Sequence, residues 1–70
     1  MDLREKGIVR WFDASKCHGY IKSELGEDIF VSYSSFSDKD NCFLVIGSKV
    51  EFSVVDTDAG ARAEDLIVVG

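Results

Sequence analysis

Lys16, His18, Tyr20 and Lys22 stand two residues apart. In extended backbone alternate residues share a face, so this spacing lines up two ammonium groups and two flat rings on one side. Gly19 and Ile21 take the other side. In Ile29-Phe30-Val31-Ser32-Tyr33, Phe30 and Ser32 share one face, and Ile29, Val31 and Tyr33 the other. Flat rings beside cations suit a ligand with planar bases on an anionic backbone: the rings stack on bases while the cations meet phosphates. Bond-making chemistry has no comparable support. The chain offers no paired nucleophile and base, no phosphate-cradling glycine loop and no acidic metal cluster at sensible spacing. Catalysis is therefore not expected, and no cofactor is implied.

These residues need two antiparallel strands to hold them. Lys16–Ser23 and Asp28–Tyr33 are rich in β-branched and aromatic residues, and the turn-like Ser23-Glu24-Leu25-Gly26-Glu27-Asp28 where they meet predicts a hairpin. Gly7–Phe12 reads as an earlier strand. Neither of its faces is cleanly apolar, because Ile8, Arg10 and Phe12 share one parity and Val9 and Trp11 the other, which predicts a bulge or strong bend. Asp13 opens a short connection, where its carboxylate can accept backbone donors. A polar connection over residues 34–41 follows, with Phe36 expected to tuck under the sheet. In the apolar run Cys42-Phe43-Leu44-Val45-Ile46, Leu44 is expected to plug the barrel bottom. Lys49–Val55 alternates with Val50, Phe52 and Val54 inward, residues 56–60 form a turn, and Ala63–Val69 is the last strand, with Leu66 and Val68 inward. Five short strands, no proline and no helical period predict an all-β, five-stranded antiparallel barrel of the oligonucleotide-binding type, in which the second and third strands carry ligand.

Seventy residues allow one domain, residues 1–70. No apolar run is long enough to span a membrane, and the charged start has no signal core, so a cytoplasmic location is expected. The net charge of −5 disfavours phosphate binding, but its distribution does not: residues 1–23 sum to +2 and residues 24–70 to −7. The positive segment carries most of the aromatic face. Cys17 and Cys42 make no disulfide scaffold, and with His18 alone they supply too few ligands for zinc. Two reduced thiols are expected, with Cys17 open to oxidation if exposed beside Lys16.

Three of these stretches together resemble the cold-shock domain of small bacterial proteins. Gly7-Ile8-Val9-Arg10-Trp11-Phe12-Asp13, Lys16-Cys17-His18-Gly19-Tyr20-Ile21 and Ile29-Phe30-Val31-Ser32-Tyr33 stand where that family has Gly-x-Val-Lys-Trp-Phe-Asn, Lys-Gly-Phe-Gly-Phe-Ile and Val-Phe-Val-His-Phe. The likeness extends from about Gly7 to about Val68. It implies binding of single-stranded RNA or DNA and an RNA chaperone activity in a cold-shock-like response, with no membrane or small-molecule partner. By itself a tryptophan in so short a chain is usually core; its place in the motif makes Trp11 a stacking residue. On the same ground the expected nucleic-acid-binding residues are Arg10, Trp11, Asp13, Lys16, His18, Tyr20, Lys22, Phe30, Ser32, Tyr33 and Phe43. Departures from the family pattern argue for weaker binding. His18 replaces a phenylalanine, and an imidazole offers less stacking surface. Ser32 replaces a histidine, Cys17 a glycine and Asp13 an asparagine. Asn41 falls at a loop phenylalanine, which Phe43 is close enough to replace. Ala59 lies near a basic position that Arg62 could serve. The competing reading is a protein-interaction or self-associating barrel, supported by the acidity and the apolar Phe43–Ile46 run. A monomer is expected, with dimerisation by strand edges as the alternative.

Overall fold

The computed structural model describes residues 4–36 and 42–69. The stretch 37–41, which holds Asn41 and most of the polar connection, lies outside the described residues. Five strands follow in order: β1 (Arg4–Asp13), β2 (His18–Ser23), β3 (Asp28–Val31), β4 (Lys49–Thr57) and β5 (Gly60–Val68). A 3-10 turn, Tyr33–Ser35, follows β3. The strands close into a barrel in the order β1-β2-β3-β5-β4. Every seam is antiparallel except β3 with β5, which run parallel where Phe30 meets Arg62. A ring with an odd number of strands cannot alternate direction throughout. The wholly antiparallel barrel expected from the sequence is corrected on this point alone.

Period-2 patterning builds the core. Val9, Ile21, Ile29, Val31, Val50 and Phe52 are fully buried, and each such side chain stabilises the fold by roughly 1.5–3 kcal/mol. Val54 packs against this cluster. Phe36 is buried as expected, edge-on to Phe12 with ring centroids 5.8 Å apart. Leu44 is buried while its neighbours Phe43, Val45 and Ile46 are exposed, which fits its expected part as a plug.

The expected bulge is present in β1. Val9 faces Ile21 and Trp11 faces Tyr20, consecutive residues of β2, so Arg10 is the extra residue. Trp11 thereby leaves the parity of buried Val9 and emerges on the outer face. Gly19, opposite Phe12, permits this close approach. A Cβ there would collide with the carbonyl oxygen of Trp11 and lie 2.7 Å from the Cα of Phe12, both backbone atoms that cannot swing away.

Three other expectations are corrected, and the open orientation of Tyr33 is decided. Lys16 and Cys17 belong to the turn, because β2 begins at His18. Tyr33, inward by parity, is 54% exposed, since β3 ends at Val31 and the 3-10 turn re-aims the chain. Val68 is exposed, being the last residue of β5, while Ala63 and Leu66 are buried three apart across a kink in which Asp65 has φ 50°. Finally, Cys17 and Cys42 are joined in a disulfide, and Cys17 is buried. The turn puts Cys17 in the left-handed region, φ 53°, where the resemblance has glycine. The two Cα atoms lie 5.8 Å apart, within disulfide reach, despite a separation of 25 residues.

Gly19→Ala is expected to cost about 3 kcal/mol or more of folding stability, because the methyl group must displace β1 backbone. Chemical denaturation of the variant measures this; a loss below about 1 kcal/mol would show that β1 yields easily.

Candidate nucleic-acid interface

Three strands deliver the outer rings to one surface. Trp11 of β1 pairs with Tyr20 of β2, which pairs in turn with Phe30 of β3. His18, two residues before Tyr20, completes the cluster. The His18 ring lies 5.5 Å from Trp11 and 6.3 Å from Phe30, and Trp11 lies 6.5 Å from Tyr20, all in tilted arrangements. Trp11 and Tyr20 are each 43% exposed and Phe30 48%. Such rings lie close to one another and yet remain partly exposed. Aromatic surface of this kind is normally buried in a small protein; here it forms a platform.

Cations border the platform. Arg10, Lys16 and Lys22 are all exposed. Lys22 meets Asp28 at 3.3 Å in a solvent-exposed pair, a contact of little energy that a phosphate can displace. Asp13 acts locally, its carboxylate accepting the Ser15 hydroxyl at 2.7 Å and the Ser15 amide at 3.0 Å. The Ser15 hydroxyl, the largest influence, holds the Asp13 carboxyl below its ordinary value; desolvation opposes it, and the Ser15 and Lys16 amides and the Lys16 charge add to the lowering. Asp13 thus staples the turn that carries Lys16 and Cys17.

The remaining expected residues lie on other parts of the chain. Ser32 is half-buried and shares a hydrogen bond with Ser34, 3.0 Å between hydroxyl oxygens, while its amide donates to the Ser35 hydroxyl. Tyr33 is exposed beyond the end of β3. Phe43 is 57% exposed on the segment crosslinked to Cys17. Arg62 stands beside Phe30 across the parallel seam, where its guanidinium donates to Glu64 at 2.6 Å. Sequence reasoning overlooked a cleft of about 570 Å³ on the β1–β4 side, where Lys6 and Lys49 join Arg10 and Lys22, with Glu24 and Glu51 between them. The pairing of β1 with both neighbours, Lys6 with Glu51 and Ile8 with Lys49 on β4 and Ile8 with Lys22 on β2, brings these groups together.

A closed five-stranded barrel with exposed rings on its second and third strands is an oligonucleotide-binding type of barrel. Within that class, residues 5–69 match the family described as the 'Cold-shock' DNA-binding domain. Major cold shock protein CspA of Pseudomonas aeruginosa is 38% identical over 69 residues, covering 99% of this chain and 100% of the relative. Cold shock protein CspC of Bacillus subtilis is 39% identical over 62 residues, 89% of this chain and 94% of the relative. Cold shock-like protein CspC of Bacillus cereus is 37% identical over 62 residues, 89% and 95% of the two chains. The chain belongs to the cold-shock domain family, a nucleic-acid-binding family.

The Asp13 staple sets an acid limb. Its folded pKa lies below the ordinary 3.8, so its contribution is fully present above pH 3.8 and is lost as pH falls through the lower folded value. Stability of wild type is therefore expected to fall more steeply than that of Asp13→Asn in this acid range. Parallel denaturation profiles for the two proteins would show that the staple carries no stability.

Proposed function

We propose that this protein binds single-stranded RNA or DNA by stacking bases on Trp11, His18, Tyr20 and Phe30, and acts as an RNA chaperone in the cytoplasm. The observation that carries this reading is the set of half-exposed rings gathered on one outer face. Arg10, Lys16 and Lys22 meet the sugar-phosphate backbone at its margins. Ser32 and Tyr33 extend the surface past the end of β3, and Phe43 adds a ring from the crosslinked segment. Every base has a flat face, so stacking accepts many sequences. A duplex hides those faces and carries denser charge than an acidic barrel favours. Binding then shifts the equilibrium of a transcript from paired to single-stranded, with no energy source and no covalent step.

Few cations border the platform, and the salt dependence follows from that. With three or four phosphates neutralised on a single strand, the logarithm of affinity should fall with the logarithm of salt at a slope of about two to three.

A second reading, self-association, draws on the exposed Val45, Ile46 and Ile67. Sedimentation of the free protein over a concentration series separates the two, since a monomer throughout, with oligonucleotide binding intact, disposes of it.

The test is a titration of tryptophan emission with pyrimidine-rich single strands and with duplex across a salt series. Quenching by single strands, a shallow salt slope and weak duplex binding are expected. Trp11→Ala, followed by anisotropy of a labelled strand, should lose roughly 5- to 150-fold in affinity, corresponding to one stack of about 1–3 kcal/mol. A preference for duplex, or an unchanged Trp11→Ala, contradicts stacking.

A further inference from the structure

The Cys17–Cys42 bond joins two parts of the candidate interface that are distant in sequence. Cys17 immediately precedes His18, whose ring is 5.5 Å from Trp11. Cys42 immediately precedes Phe43, which is 57% exposed. Residues 42–45 form no strand. The described backbone hydrogen bonds of this segment begin at Val45, whose carbonyl accepts from Ser48 at 3.0 Å. Phe43 is therefore held between two anchors, the crosslink on one side and buried Leu44 on the other. Cys17 is buried and Cys42 only half-buried, so a reagent reaches the bond from the Cys42 side.

We propose that Cys17–Cys42 is a reversible thiol–disulfide modification site that positions Phe43 at the end of the stacking face, so that the oxidised protein binds single strands more tightly than the reduced one. The proposal rests on the single-strand-binding reading above. Its chemistry is exchange with a low-molecular-weight thiol. The thiolate attacks the Cys42 sulfur, the S–S bond breaks, and Cys17 leaves as thiolate and takes a proton. A second small thiolate attacks the mixed disulfide, releasing Cys42, which is protonated, and forming the small-molecule disulfide. Two electrons and two protons pass from the small thiols to the protein. The small disulfide, acting as oxidant, drives the reverse. Intracellular disulfides of mesophiles are typically transient and redox-sensing, which suits a crosslink in a protein read as cytoplasmic. Opening it frees Phe43 from one anchor. The ring must then be immobilised on binding, which weakens affinity by roughly three- to tenfold.

The experiment measures binding of a deoxythymidine hexamer to wild type, Cys42→Ser and Phe43→Ala, each in excess oxidised and excess reduced glutathione. Thiol counting and intact mass establish the redox state, and tryptophan emission at low temperature establishes that each form is folded. Oxidised wild type should bind roughly three- to tenfold more tightly than reduced wild type. Cys42→Ser should match reduced wild type under both conditions. Phe43→Ala should show no redox dependence. Equal affinities for the two wild-type forms overturn the proposal while leaving single-strand binding intact. Redox dependence that persists in Phe43→Ala overturns the role of the ring. A reduced protein that loses its folded emission makes the bond a structural crosslink and likewise overturns the proposal. Absence of binding in both redox states overturns this inference together with the function on which it rests.

Discussion

Strict alternation along β1 would send Trp11 to the same side as Val9, which is buried. The bulge at Arg10 prevents this, because one unpaired residue moves everything after it to the opposite parity. Val9 stays in the core, and Trp11 comes to lie opposite Tyr20 on the outside. The same insertion leaves Arg10 exposed at the edge of the rings. Without it the outer surface would hold only the rings of β2 and β3, and the core would have to accommodate an indole. The close strand approach beside the bulge depends on Gly19, because the β1 backbone occupies the space a Cβ would need.

The barrel therefore divides its apolar residues between inside and outside. Aliphatic side chains and Phe52 fill the interior, while Trp11, Tyr20 and Phe30 remain half in water. Leaving large rings outside forgoes burial energy of roughly 1.5–3 kcal/mol each, a substantial amount for a domain of this size. Structural stability alone does not account for that placement; the proposed stacking on nucleobases would. Charge is divided similarly. The acids fall mostly after residue 23, while Arg10, Lys16 and Lys22 lie before it, so a protein of net charge −5 still presents cations where its rings are.

Local patterning carried the legible part. Alternation in Ile29-Phe30-Val31 and in His18-Gly19-Tyr20-Ile21 was enough to assign inner and outer faces, and the conflicting parities of Gly7–Phe12 were enough to expect a bulge. The parts not legible all depend on contacts between distant segments or on where a strand stops. Tyr33 faces outward because hydrogen bonding to β2 ends at Val31, which no parity rule states. The parallel seam follows from closing the ring, a property of the whole barrel. The disulfide joins a turn whose left-handed residue is Cys17 to a segment far along the chain. Spacing of two cysteines 25 residues apart contains no trace of that. The Lys6–Lys49 cleft was hidden for the same reason, since it exists only where β1 meets β4.

The central claim is that the rings displayed around the β1 bulge are the surface that nucleic acid touches. NMR of the protein with a pyrimidine hexamer tests it directly, through nuclear Overhauser contacts between base protons and aromatic side chains. Contacts to Trp11, His18, Tyr20 and Phe30 are expected, with base protons shifted upfield by the rings. Contacts confined to the cleft beside Lys6 and Lys49, with the Trp11 indole resonance unmoved, would contradict it.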